Sequence, residues 1–401
     1  MSARVAAAER PRSEPTGFVR PEDLRRQFWL ALKTAHRVTE NPRQAFCRRV
    51  PRKVWREDGS VETSLIVIEM RADRQRDRAS FSGLFHCGYW TCPLCGPKIA
   101  AERAADIALA ITAWYALGGR VAFSTWTMRH GRDHRLADLL AAMGKSWTAA
   151  LKNKTPRRLQ KAYSVGDILK LETNVGPSAG WHPHRHGLGF LLPGVTDDQA
   201  HELDAARFGA WSASLERQGF GSASLAGHDH RVLDLGQAHE RIGEYVAKSA
   251  GHELAAAGTK RAAGENRTAL ELLIDLGALG LAKDRRLWRE SESALRGKRM
   301  LRWSPGLRER LLGDLETEKS DQEAADSNDG AGRVIAVIGE DTWRRVWRFR
   351  HPPSVLLSAA EAYDDDDDRA DSIARYLDRH QLGSLKRGSQ TRPSHTPATR
   401  A

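Results

Sequence analysis

The spacing of apolar and polar positions changes period along the chain, and each change predicts an element. Residues 64–70 (SLIVIEM) form a short apolar run and predict a strand. Residues 99–117 are alanine-rich with helical periodicity and close on Gly118-Gly119, which predicts a helix. A regular alternation follows. Residues 121–128 (VAFSTWTM) predict a strand, 136–151 a helix and 165–173 (VGDILKLET) a second strand. A turn at 176–180 leads into a third strand over 184–192, stopped by Pro193-Gly194. The next helix spans 196–218, with Thr196 as N-cap, Asp197 and Asp198 in its first turn and Gly219 beyond its end. Residues 222–235 predict a strand and 237–249 a helix. The order β-α-β-β-α-β-α predicts an α+β fold with an antiparallel, ferredoxin-like (split βαβ) sheet. Its helices are expected on one face and its two central strands as hairpin partners.

The flanks are less regular. Residues 269–279 and 287–295 carry helical periodicity, and 301–306 reads as a turn. Residues 316–332 are polar and acidic and read as a linker; 334–338 and 343–349 suggest a small strand–helix appendage. The aspartate run 364–368 reads as a solvated break, and the tail from Gly383 as disordered.

Charge narrows the partner. The chain of 401 residues carries a formal net charge of +12, with a pI of about 9.8. Residues 1–56 alone hold fourteen Lys or Arg against five acids. Such an excess favours a polyanion, with nucleic acid ahead of an anionic membrane. The 40% hydrophobic content suffices for a core. No apolar run approaches the ~20 residues that span a bilayer, and the Arg-rich N-terminus lacks the apolar stretch of a secretory signal. The expectation is a soluble, cytoplasmic protein with no membrane partner.

Four cysteines are present, Cys47, Cys87, Cys92 and Cys95, three of them within HCGYWTCPLCGPK. Such clustering in a cytosolic chain suggests metal rather than disulfide. Zinc wants four ligands, with Cys47 the natural fourth and His86 the alternative. Buried free cysteines are the plainer reading.

The densest chemistry lies at WHPHRHGLGFLL, residues 181–192, where His182, His184 and His186 alternate. On a strand all three imidazoles share one face and could hold a divalent metal. Glu172, near the end of the preceding strand, could face them across the pair and adds a hard oxygen ligand. A polar, solvent-facing strand start is the plain alternative. Downstream, Tyr245 and Lys248 share one face of a predicted helix. A tyrosine near a metal can attack a phosphodiester, with a lysine steadying the phosphate. Alone, such a pair is ordinary amphipathic packing.

Together these motifs resemble the rolling-circle replication initiators of the HUH endonuclease superfamily, the plasmid Rep proteins. The strand ending in Thr125-Trp-Thr127 is similar to their first motif, His182–Leu192 to their second and Tyr245–Lys248 to their third, in the family's order. The stretch Leu171–Asn174, the cysteine knuckle and the region from Trp288 to Trp303 are also similar, so the resemblance covers about residues 45–310. It implies that His184 and His186 bind Mg²⁺ or Mn²⁺, with His182 or Glu172 as a further ligand. Thr125 and Thr127 would belong to the first motif. Tyr245 would be the nucleophile and Lys248 its phosphate partner. The implied reaction is nicking and religation of single-stranded or hairpin DNA at a plasmid origin through a covalent 5′-phosphotyrosine. Host helicase and polymerase are the implied partners, and Zn²⁺ would be structural.

One departure stands out. Some relatives carry an acid one turn before the tyrosine, and here that position is Arg241. Glu244, Glu240 or a second subunit remain open for the terminating step. The expected organisation is a basic arm (1–60), a cysteine-rich zinc region with its helix (61–118) and a nicking domain (119–251). A helical extension (252–315), a linker with a small appendage (316–382) and the tail (383–401) would follow. A relaxase would place its tyrosine ahead of the histidines, and a small single-tyrosine transposase would be much shorter. A zinc-dependent DNA-binding regulator would leave the histidine strand and Tyr245 unexplained.

Overall fold

The computed structural model describes residues 21–72, 77–240, 266–313, 319–327 and 332–388. These residues form a mixed α+β structure with two main antiparallel sheets. In chain order the first part holds α1 (Pro21–Val38), α2 (Pro42–Phe46), the hairpin β1 (Lys53–Trp55) and β2 (Val61–Thr63), β3 (Ile66–Arg71), β4 (Arg78–Ser82) and α3 (Cys95–Ala116). The middle holds β5 (Arg120–Trp126), α4 (Leu136–Lys152), α5 (Lys154–Tyr163), β6 (Ser164–Gly176), β7 (Gly180–Leu191), α6 (Asp197–Arg217) and β8 (Asp229–Leu233). After residue 266 come α7 (Ala269–Leu279), α8 (Ala282–Leu295), β9 (Leu301–Trp303), α9 (Leu307–Leu312) and α10 (Asp321–Asp326). The last part holds β10 (Arg333–Ile338), α11 (Glu340–Arg348), α12 (Ser354–Glu361), α13 (Asp366–Arg379) and β11 (Leu385–Arg387).

The five-stranded sheet has the order β8-β5-β7-β6-β9. Alternation along its strands divides the side chains between two faces. One face carries Val121, Phe123, Ile168, Leu188 and Phe190, packed under Ile107, Ile111 and Trp114 of α3 and Leu307 and Leu311 of α9. The other carries Trp126 and Leu169, packed under α4 and α6 through Trp147, Met143 and Trp211. Helices therefore cover both faces, not one, because α3 and α9, outside the predicted motif, supply a second layer. Gly187 makes room for this packing: a Cβ there would meet the Trp126 ring at 2.6 Å. Trp126 and Trp147 then meet edge to face with centroids 4.8 Å apart. Arg207 of α6 grips Asp167 of β6 with two hydrogen bonds of 3.0 Å, tying helix to sheet. Thr196 caps α6, as its sequence predicts, and the structure adds a full capping box with Gln199.

The flanks depart further from expectation. Residues 21–38, expected within a basic arm, are helix α1, which buries Trp29 and Leu32 in one core and Ala31 and Ala35 in another. The expected small appendage is half of a sheet. Its order is β11-β10-β3-β4, so the C-terminal strands complete the sheet begun beside the cysteines. The expected linker contains α10, tied to the cysteine region by the pairs Arg103–Asp321 and His86–Asp326. The aspartate run opens α13: Asp365 caps it, and the next three acids sit in its first turn, where the helix dipole favours them. Residues 301–303, read as a turn, pair with β6 as an edge strand. Part of the expected disordered tail is strand β11, held by β10.

Candidate functional site

The strand β7 explains how one sequence run serves both core and chemistry. Its even positions start with His182, His184 and His186 and continue into Leu188 and Phe190. The apolar end lies under α3, and the histidine end of the same face is half-buried. The three rings form a row, with centroids 4.0 Å apart for His182–His184 and 6.0 Å for His184–His186.

Neighbouring strands complete the row. Glu172 of β6 stands opposite His184 in register, and its carboxylate lies 3.3 Å from the Nε2 of His186. Thr125 of β5 stands opposite His186, with its hydroxyl 3.0 Å from the ring's Nδ1. Nδ1 is thus occupied by a neutral partner while Nε2 points to the carboxylate. That division suits a metal ligand whose other nitrogen is fixed by a second group. Phe123 stacks on His186 at 5.6 Å and limits its rotation. Burial, with a smaller contribution from the charge of His130, pushes His182 down to about 4 and keeps its imidazole neutral. A neutral ring is the ligand form.

Not every predicted residue joins this group. Thr127 donates instead to the carbonyl of Gly227, pinning the turn before β8. Tyr245, Lys248 and Glu244 lie outside the described residues, as does Arg241. Two residues extend the group beyond the sequence reading. His130, after β5, sits 4.6 Å from His182 by ring centroids. Lys170, buried, holds the register position opposite His186 on β6. The alternation of β6 that exposes Glu172 to the histidines also marks Lys170; nothing in the sequence around His130 points to it.

A second polar group lies on the opposite face of β5. Asp204 of α6 meets Nε2 of His228 at 2.5 Å and Nδ1 of His230 at 3.4 Å. Ser124 donates to Asp204 at 3.0 Å, and Nδ1 of His228 lies 2.9 Å from the Thr125 carbonyl. Burial works against charge on both partners. For Asp204 the hydrogen bonds from His228 and His230 outweigh it and hold the carboxyl well below its usual range; for His228 the Asp204 carboxylate outweighs it and raises the pKa. The pair is separated by twenty-four positions in sequence and carries no local motif.

The cysteines form a separate centre. All four are buried, none is in a disulfide, and their sulfurs lie within 4.8 Å of one another. The separations are 3.6 Å for Cys47–Cys92, 3.5 Å for Cys47–Cys95 and 3.8 Å for Cys87–Cys95. A tetrahedral zinc with Zn–S bonds of ~2.3 Å has sulfur–sulfur edges of roughly 3.8 Å, so the donor set fits a structural zinc. Cys47 is the fourth member, and His86 instead bonds Asp326 through Nδ1 at 2.5 Å. Among the described residues this is the one group of three or more such ligand atoms so tightly gathered; the histidine row with Glu172 is looser. No described helix is long and apolar enough to cross a membrane.

No protein-family model and no solved structure matches the chain. Two curated proteins are similar to it. Protein rep of Streptomyces lividans is 29% identical over 356 residues, covering 72% of this chain and 78% of that protein. A neomycin resistance protein of Streptomyces cyanogenus is 31% identical over 144 residues, covering 29% of this chain and 32% of that protein. The resemblance to Rep proteins drawn from the motifs is borne out by the first relative.

Proposed function

We propose that this relative of a Streptomyces Protein rep initiates rolling-circle replication of a plasmid, nicking and rejoining one strand of the origin through a tyrosine. The observation that carries the reading is the row His182–His184–His186 flanked in register by Glu172 and Thr125. Strand order supports it. With β5, β6, β7 and β8 as first to fourth, the order is 4-1-3-2, with helices between first and second and between third and fourth. This order is consistent with the split βαβ arrangement expected of a ferredoxin-like HUH sheet. The basic charge suits DNA.

In this reading His184 and His186 hold Mg²⁺ or Mn²⁺, with Glu172 or His182 as the further ligand. Bound there, the cation would polarise the scissile phosphate. Thr125 fixes the ring of His186, and Phe123 backs it. The described chain buries Ala238 with Ile107 and Leu233 in the core on the sheet face that also carries the histidines. Tyr245 follows seven residues later in the sequence. Its phenolic oxygen bonds phosphorus as the bond to the 3′ oxygen breaks. The phenolic proton passes to water, and the leaving oxygen takes one up as a free 3′-hydroxyl, which primes the host polymerase behind its helicase. Lys248 steadies the phosphate. Glu244, Glu240 or a second subunit serves the closing step.

The test is a cleavage assay with Mn²⁺ and end-labelled single-stranded DNA from the replicon's own origin. A metal-dependent covalent adduct on the 5′ phosphate is expected from the natural protein and not from Tyr245→Phe. Tight binding to origin duplex with no adduct would replace this reading with a zinc-dependent DNA-binding regulator.

A further inference from the structure

Most arginines whose contacts are described find an acid. Arg25 pairs with Glu361, Arg267 with Asp284, Arg369 with Asp366 and Arg387 with Asp367. One stretch of the chain does not follow this rule. Residues 139–166, spanning most of α4 and all of α5, contain no Asp or Glu. They contain Lys145, Lys152, Lys154, Arg157, Arg158 and Lys161, every one exposed. Among the described residues none of the six forms an ion pair. Beside them Ala141, Gly144 and Ala149 floor an open groove of about 540 Å³, rimmed by Lys145, Lys152 and Lys298.

We propose that α4, α5 and Lys298 form a docking face for the phosphate backbone of double-stranded DNA, separate from the histidine row. Separation follows from the fold. α4 packs through Trp147 onto Trp126, on the sheet face opposite His182, His184 and His186. Unpaired cations over small side chains suit a backbone that must come close, since each phosphate neutralised releases counterions. A membrane surface fits less well, because no large exposed apolar side chain lies within residues 139–166 to enter a bilayer. Single-stranded DNA fits less well too. It is held largely by stacking on aromatics, and the aromatics here are Trp147, which is buried, and Tyr163, half-buried and bonded to Glu202. The face would hold the duplex beside the nick; only that last clause rests on the replication reading.

The test measures binding of a short duplex across a salt series by fluorescence anisotropy. One variant carries Lys145→Gln, Lys152→Gln and Lys298→Gln; a second carries Arg157→Gln, Arg158→Gln and Lys161→Gln. A control carries Arg345→Gln, Arg379→Gln and Lys386→Gln on the C-terminal helices and strand. Each face variant is expected to melt like the natural protein and to flatten the slope of log K against log salt by about 2 to 3, at ~0.9 per lost phosphate contact. An unchanged slope in both face variants, or an equal change in the control, overturns the proposal. So does a loss confined to phosphatidylserine vesicles or to single-stranded oligonucleotide. Adduct formation by the natural protein is measured alongside; its absence would retire the nicking reading and leave the duplex result standing.

Discussion

Thr125 and His186 face each other across β5 and β7, and the threonine hydroxyl lies 3.0 Å from the Nδ1 of the histidine. The hydroxyl leaves Nε2 directed at Glu172. Thr125→Val keeps the shape and removes that bond. Partners one step outside a metal's ligands typically contribute 10–100-fold in affinity. The Mn²⁺ concentration that half-saturates adduct formation should therefore rise by about 10–100-fold, with the plateau regained at high Mn²⁺. An unchanged Mn²⁺ titration would show that Thr125 does not act through His186.

The Asp204–His228 pair should write its signature on stability against pH. Asp204 is depressed below the ordinary ~3.9 of an aspartate, so its contribution is present above about pH 4 and fades as pH falls through the depressed value. His228 is raised above the ordinary ~6.5, so its contribution is complete below about pH 6.5 and fades as pH rises through the raised value. Both hold together between about pH 4 and 6.5. Asp204→Asn should lose about 2–3 kcal/mol in urea unfolding within that window, the scale of a charged hydrogen bond, and less at higher pH. A pH-independent loss would mean that the side chains matter for packing alone.

The four sulfurs predict a metal stoichiometry. Purified protein should carry one zinc per chain, and cobalt(II) in its place should give the absorption of a tetrahedral thiolate site. A chelator should release the metal, expose four reactive thiols and lower the thermal transition, because site formation and folding are coupled. Cys47→Ser should alter the cobalt spectrum and His86→Asn should not, since His86 bonds Asp326 rather than joining the sulfurs. A spectrum shifted by the His86 change would put nitrogen in the site.

The middle of the fold was legible in the sequence because its signals are local. Thr196, Asp197 and Asp198 announce a helix start within three residues, and the alternation of His182, His184 and His186 fixes their shared face. The register that sets Glu172 opposite His184 also follows from a hairpin of known turn position. What the sequence hid depends on contacts far along the chain. Asp204 meets His228 through the docking of α6 on β5 and β8, which no periodicity encodes. The strand β10 reads as the start of an appendage because its partner, β3, lies more than 260 residues earlier. The helix α1 was masked by its charge: its many cations suggested an arm, although Trp29, Leu32 and Ala35 fall at helical spacing.

The C-terminal sheet partners give the last prediction. β10 lies between β3 and β11, so Val337 pairs with Val67 on one side and Lys386 on the other. Removing residues beyond 332 would leave β3 and β4 as a two-stranded ribbon, which is marginal alone. It would also strip Trp343 from its edge-to-face contacts with Phe81 at 5.0 Å and Trp29 at 6.4 Å. Trp343 donates its indole N–H to the carbonyl of Arg49, two residues from the zinc-fitting Cys47. The truncated chain should therefore bind zinc weakly and aggregate. Trp343→Ala, a gentler change, should cost about 3–5 kcal/mol as a large buried ring leaves a cavity. It should also lower the temperature at which zinc is released. A truncated chain that keeps one tightly held zinc and an unchanged melting curve would show that the cysteine region folds without its C-terminal strands.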